Sequence, residues 1–218
     1  MADQDSRKGV SYVTPEVLAW IERVHVPHDP ASMRAFESPE REGMPAIQVG
    51  ASEGKTLALL LRLVAARKVV ELGTLAGYSA IQMGRALAKG GQLWTVELEP
   101  RHAAVARANI EAAGLGAVVT VIEGRALDVL EGLASKGPFD AIFIDADKGS
   151  YDRYGRWAAR AIRPGGLLLA DNAYYFGDLL ADTAEAAAMR RFHEESREHF
   201  ETVCIPTPEG LLLGIRKG

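Results

Sequence analysis

Short apolar segments alternate with helical segments from residue 68 onward, and this alternation is the feature that most constrains the fold. Each apolar segment is the length of a strand, and a segment with helical spacing follows it. Such alternation predicts a mainly parallel sheet with helices on both faces. The predicted strands are residues 68–72, 92–96, 118–122, 139–144 and 167–170, and the predicted helices are residues 78–88, 100–113, 126–134, 150–161 and 182–199.

The two ends of the chain depart from this alternation. Residues 200–205 and 211–216 are apolar segments joined by a short loop, which predicts an antiparallel hairpin at the sheet edge. Before residue 66 the patterns are helical, with one helix starting at Thr14-Pro15-Glu16 and others over residues 30–40 and 52–65. A length of 218 residues suits one domain. We therefore expect a single domain over residues 1–218, with a helical cap over 1–65 and an α/β core over 66–218.

The charge balance and the cysteine count narrow the class of protein. The chain has 25 basic and 29 acidic side chains, a formal net charge of -4 at pH 7. Nucleic-acid binders depend on basic contacts to phosphates, so this balance favours a small-molecule partner. The single cysteine excludes an intrachain disulfide and fits a reducing compartment. Without a signal-peptide core or an apolar run of roughly 20 residues, we expect a cytoplasmic protein with no membrane partner.

The segment 71–79 (ELGTLAGYS) joins the first predicted strand to a helix. Ligands of open parallel sheets bind at the carboxyl ends of the strands, and Gly73 and Gly77 let the backbone turn tightly there. The segment matches neither the dinucleotide fingerprint nor the phosphate-binding loop with its lysine. This favours a nucleotide-type ligand that lacks a pyrophosphate. Glu97, directly after the second strand, is placed to accept the ribose hydroxyls of an adenosine, whereas Glu99 is expected to begin the next helix.

Polar side chains also follow the fourth and fifth predicted strands. Asp145 comes directly after residues 139–144, and Asp171-Asn172 follows residues 167–170. Two carboxylates and an amide oxygen suit magnesium, manganese or calcium better than zinc. Lys148 lies three positions after Asp145, and a cation bound nearby would favour its neutral amine, which can act as a base. Alone, Asp171-Asn172 would indicate a turn and Lys148 a solvent-facing lysine; their shared placement at strand ends favours a site.

Together these motifs resemble those of the cation-dependent O-methyltransferases, the family that includes catechol O-methyltransferase and the plant caffeoyl-CoA O-methyltransferases. The resemblance runs from about Met44 to the C-terminus. It rests on residues 71–79, Val96-Glu97, residues 143–148 with Tyr151, and residues 169–172. It implies a Rossmann-like S-adenosylmethionine-dependent methyltransferase fold with a seven-stranded sheet. It also implies methyl transfer to a catechol-type small molecule, a divalent cation (Mg²⁺ before Mn²⁺ or Ca²⁺) and a homodimer.

The resemblance assigns roles to individual residues. Those implied to bind S-adenosylmethionine are Val49, Glu71, Gly73, Thr74, Leu75, Gly77, Tyr78, Ser79, Glu97, Ala126, Asp145 and Asp147. Asp145, Asp171 and Asn172 would bind the metal. Lys148 would be the general base, with Asp145 in the same catalytic group. The residues implied to meet the acceptor are Met44, Lys148, Asn172, Tyr174 and Tyr175. Segments 50–53 and 173–175, which border the acceptor pocket, depart from the usual family pattern.

Other functions remain compatible with the sequence. Some relatives of this family modify tRNA, and a basic face for RNA could draw on Arg153, Arg156, Arg160 and Arg163, which we place along one helix. An NAD-dependent oxidoreductase fits the sheet and Glu97 but lacks the phosphate fingerprint. A non-catalytic small-molecule binder would not need Lys148 beside a full set of metal ligands. Tyr151 and Tyr154 are expected to pack in the core, and we assign no chemistry to the five histidines.

Overall fold

The computed structural model describes residues 12–218 and contains one seven-stranded sheet. The strand order is β3-β2-β1-β4-β5-β7-β6. Strands β1 to β5 pair in parallel, and β7 pairs antiparallel with both β5 and β6. The strands are β1 (Lys68–Leu72), β2 (Gln92–Glu97), β3 (Val119–Glu123), β4 (Phe139–Ile144), β5 (Ile162–Ala170), β6 (Phe200–Ile205) and β7 (Leu211–Arg216). The predicted mainly parallel sheet with a C-terminal antiparallel hairpin at its edge is confirmed.

Eight α-helices accompany the sheet within the described residues. They are α1 (Pro15–His25), α2 (Pro30–Arg41), α3 (Ala51–Leu63), α4 (Tyr78–Ala86), α5 (Pro100–Ala112), α6 (Ala126–Leu133), α7 (Tyr151–Ala161) and α8 (Ala184–His199). The predicted start of α1 is confirmed, because the Thr14 side chain accepts a hydrogen bond from the amide of Val17. Residues 1–11 of the predicted cap lie outside the described residues. Among residues 12–218, no helix is long and apolar enough to cross a membrane.

The core consists of two apolar layers, one on each face of the sheet. Alternate residues of β1 serve opposite layers: Val69 packs with Leu61 and Ile81 of α3 and α4, whereas Val70 packs in the layer that includes Met189 of α8. This alternation follows from the two-residue period of a strand. Burial on both faces explains why the central strands are apolar at almost every position.

Several element boundaries differ from the predicted ones, most by one or two residues, and two differences have a clear physical reason. Strand β5 begins at Ile162, not at 167, because Ile162 pairs with Phe139 and the 164–166 turn is accommodated as an irregularity in the ladder. Gly166 is required there, since a Cβ would lie 2.7 Å from the backbone oxygen of Asp140. Helix α8 begins at Ala184, not at 182, because Thr183 caps it through its side chain.

Candidate active site

A cavity of about 810 Å³ lies at the carboxyl ends of the parallel strands. The loops after the five parallel strands, β1 to β5, form most of its wall. Segment 45–50 before α3 and the tip of the β6–β7 hairpin complete it. This is the edge of a parallel sheet where ligands are expected.

The loop after β1 depends on glycine at position 73. Gly73 has a φ of +94°, and a Cβ on it would overlap the backbone oxygen of Asp145. Leu75 also adopts a positive φ, 48°. Glu97 holds the loop in place, because its Oε2 accepts hydrogen bonds from the amides of Thr74 (3.1 Å) and Leu75 (2.8 Å). The first strand end and the acid of the second strand therefore form one unit.

Glu97 lies in the cavity wall and is largely buried. Its Oε1 accepts a hydrogen bond from the amide of Glu99 at 2.9 Å and lies 3.7 Å from Nδ1 of His102. Glu99 lies at the start of α5, as predicted, without a capping hydrogen bond from its side chain, and it also lines the cavity. His102 is a wall residue that the sequence patterns did not indicate, because it lies on α5 and not at a strand end.

Glu71 lies behind the wall, not in it. Its side chain is fully buried, and its Oε1 accepts a hydrogen bond from the hydroxyl of Ser79 at 2.5 Å, while Oε2 has no partner. Burial raises the pKa of Glu71 to about 8; the neighbouring hydroxyl groups of Ser79 and Thr95 oppose this rise, and the charges of Asp145 and Glu97 add to it. Glu71 thus supports Ser79, which does line the cavity.

The ends of β4 and β5 bring Asp145 and Asp171 together. Ile144 pairs with Ala170, so the next residue of each strand is an aspartate. The amide of Asp171 donates to the oxygen of Ile144 at 3.0 Å, which continues the ladder. Burial raises the pKa of Asp145, and burial together with the negative charge of Asp145 raises the pKa of Asp171 to about 7.

Asn172 completes this end of the cavity. Its φ of 53° is in the left-handed region, which asparagine tolerates better than most residues. Its Nδ2 donates a hydrogen bond to Oε2 of Glu209, at the tip of the β6–β7 hairpin. Both residues line the cavity.

Lys148 is held by two oxygen partners. Its Nζ lies 3.0 Å from Oδ1 of Asp145 and 2.8 Å from the hydroxyl of Tyr151. The Tyr151 hydroxyl in turn lies 3.1 Å from the backbone oxygen of Asp171. Tyr151 packs in the core as expected, but its hydroxyl also positions the lysine. Tyr154 likewise packs in the core, lines the cavity and donates a hydrogen bond to Asp147.

The wall includes most of the predicted cofactor residues, all of the predicted metal residues and the predicted general base. Those in the wall are Val49, Gly73, Thr74, Leu75, Tyr78, Ser79, Glu97, Ala126, Asp145, Asp147, Lys148, Asp171 and Asn172. Glu71 and Gly77 lie outside it; a Cβ on Gly77 would lie 3.4 Å from Ala106 of α5, so this glycine permits close packing. Within residues 12–218, no group of three or more His, Cys, Asp or Glu side chains is placed to hold a metal ion. The predicted metal ligands are two carboxylates and one amide, and a group that includes an asparagine is not of this kind.

Three residues predicted to meet the acceptor lie outside the wall. Met44 is buried, with its amide bonded to the oxygen of Pro39 at 2.7 Å. The ring of Tyr174 covers Gly210, where a Cβ would lie 2.8 Å from Cγ of that ring. Tyr175 packs against the core layer that contains α8. Neighbouring residues take their places in the wall: residues 45–47, Glu53, Phe176, Pro208 and Glu209.

The four arginines proposed as a basic face do not all lie on one helix, and two of them are paired with acidic side chains. Arg156 is paired with Glu195 at 2.7 Å, and Arg163 with Asp140 at 2.6 Å. Arg163 lies on β5, not on α7 with the other three. Arg153 donates to the hydroxyl of Ser150 at 2.6 Å. Acidic partners thus offset two of the four charges, which weakens the case for an RNA surface.

Comparison with known proteins gives a consistent picture. The model of a family described as O-methyltransferase matches residues 31–217. A catechol O-methyltransferase of Niastella koreensis is 48% identical over 170 residues, covering 76% of this chain and 77% of that protein. A catechol O-methyltransferase of Mycobacterium tuberculosis is 42% identical over 187 residues, covering 85% and 84%. The crystal structure of a Bacillus cereus O-methyltransferase in complex with SAH, the demethylated product of S-adenosylmethionine, has a TM-score of 0.88 at 33% identity, covering 93% of this chain and 97% of that one.

Proposed function

The chain belongs to the O-methyltransferase family and is an S-adenosylmethionine-dependent O-methyltransferase; from this premise we propose that it methylates a catechol-type small molecule with the help of a divalent cation. The observation that carries the proposal is the clustering of a buried carboxylate (Asp171), a partly buried carboxylate (Asp145), one amide and one lysine at one end of the cavity. The two relatives named catechol O-methyltransferase support the acceptor class.

The proposed donor subsite is the part of the cavity formed by the loop after β1 and by Glu97. S-adenosylmethionine supplies a methyl group on a sulfonium and leaves as S-adenosylhomocysteine. Glu97 is fixed by the amides of Thr74 and Leu75, so its carboxylate is already oriented to accept ribose hydroxyls. Val49 and Ala126 form apolar parts of the wall, and we assign Gly73, Ser79 and Asp147 to the methionine end.

The donor set at the other end fits a divalent cation. Carboxylate and amide oxygens are the ligands that Mg²⁺, Mn²⁺ and Ca²⁺ prefer. The raised pKa values of Asp145 and Asp171 reflect burial of negative charge that a nearby cation would offset. When bound, the ion would hold two vicinal oxygens of the acceptor and make the reacting hydroxyl more acidic. We therefore propose Asp145, Asp171 and Asn172 as its ligands.

Lys148 is the proposed general base. Its amine lies in the cavity wall, and its contacts with Asp145 and Tyr151 limit the positions it can take. As the acceptor oxygen forms its bond to the methyl carbon, Lys148 takes the proton that the hydroxyl loses. Correct placement of the reacting groups accounts for much of the rate, since effective molarities of oriented groups are worth about 7–11 kcal/mol.

The proposed acceptor wall is revised from the predicted one. We now assign the aromatic part of the acceptor wall to Phe176 and not to Tyr174 or Tyr175. The ring of Tyr174 packs over Gly210, and Tyr175 packs against the core. Phe176 is 64% exposed and lines the cavity. An exposed aromatic side chain beside the reacting end suits a flat aromatic acceptor.

Methyl transfer to caffeic acid, with and without EDTA, tests the proposal. We expect S-adenosylhomocysteine and a methyl ether to form with Mg²⁺, activity to disappear with EDTA, and excess Mg²⁺ to restore it. 4-Hydroxycinnamic acid, which lacks the second hydroxyl, is the matched control and should not react. Turnover that persists in EDTA would contradict the role of the metal, and a tRNA acceptor assayed in parallel would reveal the alternative substrate.

We also propose a cytoplasmic homodimer. The single cysteine is compatible with a reducing compartment. Helix α1 has no buried residue, and Val17, Trp20 and Val24 are each about half exposed. An apolar face of this kind is typical of a surface that pairs with another chain. Light scattering should give twice the monomer mass for the wild type and the monomer mass for Trp20→Glu.

A further inference from the structure

Glu209 lies opposite the proposed metal ligands, on a part of the chain far from them in sequence. It is at the tip of the β6–β7 hairpin, and its side chain lines the cavity. Oε2 of its carboxylate accepts a hydrogen bond from Nδ2 of Asn172. The sequence patterns did not indicate Glu209, because it does not follow a parallel strand.

The chemistry of this contact fixes which way the Asn172 amide faces. A carboxylate can only accept hydrogen bonds, so the NH₂ group of Asn172 must face Glu209. Oδ1 is then turned away from Glu209. If the amide were rotated by 180°, Oδ1 would face the Glu209 carboxylate and the NH₂ group would face away from it. Asn172 would then present a donor, not an oxygen, on the side away from Glu209.

Backbone contacts hold the two residues in this relation. The amide of Ala173 donates to the oxygen of Gly210 at 2.8 Å, and the amide of Tyr174 donates to the oxygen of Glu209 at 3.0 Å. These bonds lie just beyond the end of the antiparallel pairing of β5 with β7 at Ala170 and Leu212. The tip of the hairpin is therefore attached to the loop that carries Asn172.

We propose that Glu209 is a positioning residue that orients the amide of Asn172 so that its oxygen, not its nitrogen, is presented to the divalent cation. This inference rests on the proposed metal site. Groups that orient a metal ligand through a hydrogen bond commonly change metal affinity by about 10- to 100-fold when they are removed. Glu209 would act through Asn172 and need not touch the ion.

Calorimetric titration of the full chain with Mn²⁺, in the presence of S-adenosylhomocysteine, tests this role. We expect Glu209→Leu to weaken Mn²⁺ binding by about tenfold or more. Glu209→Gln keeps an oxygen that can accept from Asn172, so its affinity should stay within about threefold of the wild type. Glu201→Leu, on the exposed side of β6, is the matched control and should bind Mn²⁺ as the wild type does.

A double variant separates orientation from a direct electrostatic effect. In an Asn172→Ala background, Glu209→Leu should cause no further loss, because the residue through which it acts is absent. Equal losses in Glu209→Gln and Glu209→Leu, an additive loss in the double variant, or wild-type affinity in Glu209→Leu would each overturn the inference. Absence of Mn²⁺ binding by the wild type would instead refute the metal site on which the inference depends.

The affinity for S-adenosylhomocysteine shows whether the substitutions disturb the rest of the cavity. The Glu209 variants should bind it as tightly as the wild type, because the donor subsite lies around Glu97 and the loop after β1. A parallel loss of product binding and Mn²⁺ binding in Glu209→Leu would show a general disturbance of the cavity and would contradict a role limited to Asn172.

Discussion

Lys148 is held between a carboxylate and a phenol, and two substitutions separate its charge from its ability to accept a proton. Lys148→Ala should lower kcat by about 10²- to 10⁴-fold, the usual contribution of a general base. The affinity for S-adenosylmethionine should change by less than about threefold, since Lys148 contacts Asp145 and Tyr151 and not the loop after β1. Steady-state kinetics and calorimetry measure the two quantities.

Lys148→Arg is the matched variant. Arginine keeps a positive charge that can pair with Asp145, but it stays protonated and cannot act as a base. We expect it to be as inactive as Lys148→Ala. Substantial activity in Lys148→Arg would show that the lysine contributes charge only.

Glu71 gives the protein a pH-dependent stability in the absence of ligand. The pKa of its carboxyl is 4.5 in the unfolded reference and about 8 in the folded protein, because it is buried. The folded state therefore binds the proton more tightly, and the free energy of unfolding falls as pH rises from about 4.5 to 8. A difference of one in pKa between the folded and unfolded states corresponds to about 1.4 kcal/mol in the free energy of unfolding. Glu71→Gln, which cannot ionise, should match the wild type near pH 4.5 and exceed its stability at pH 8.5 by a few kcal/mol.

Urea unfolding at the two pH values measures this difference. Glu201→Gln, at an exposed position on β6, should follow the wild type at both. If the wild type and Glu71→Gln lost the same free energy of unfolding between pH 4.5 and 8.5, another group would be responsible for the pH dependence.

At the residue scale, the sequence predicted the site where strand pairing determines it. Asp145 and Asp171 follow paired residues of neighbouring strands, so their proximity follows from the order of the sheet. Phe176 could not be told from Tyr174 and Tyr175, because the chain takes positive φ values at Tyr175 and Phe176. Three adjacent aromatic residues carry no pattern that reveals which one faces the cavity. The roles of all these residues remain predictions.

The loop between β1 and α4 is the element whose shape depends most on one residue. Gly73→Ala combines a positive φ with an overlap between the new Cβ and the oxygen of Asp145. We expect a loss of about 2–5 kcal/mol in the free energy of unfolding and loss of S-adenosylmethionine binding. Thermal unfolding with and without the donor measures both.

Gly90→Ala is the control for backbone strain alone. Gly90 has a φ of +79°, but a Cβ there would meet nothing within 4 Å. It should cost about 1–2 kcal/mol and leave donor binding intact. Similar effects of the two substitutions would contradict the importance of the contact with Asp145.

At the element scale, boundaries were predictable where an apolar run or a cap marks them. Strands β1, β4, β6 and β7 have the predicted limits, because polar or turn-forming residues flank each apolar run. Strand β5 is longer than predicted, since pairing of Ile162 with Phe139 continues the ladder across a proline and two glycines. That pairing depends on tertiary contact, which a local pattern does not contain.

At the scale of the whole molecule, alternation of strands and helices was enough to predict the sheet, its mainly parallel pairing and its antiparallel edge. The contact between the hairpin tip and the Asn172 loop was not predictable, because it joins residues 37 positions apart through one side-chain hydrogen bond. It arises from the position of β7 beside β5, and the sequence patterns did not predict that strand order.

A crystal structure of the protein with Mn²⁺ and S-adenosylhomocysteine, recorded for the anomalous signal of manganese, tests the metal-assisted account most directly. We predict one strong anomalous peak in the cavity, with oxygens of Asp145, Asp171 and Asn172 at about 2.0–2.6 Å from it. A cavity with bound product but no peak near these three side chains would contradict the account.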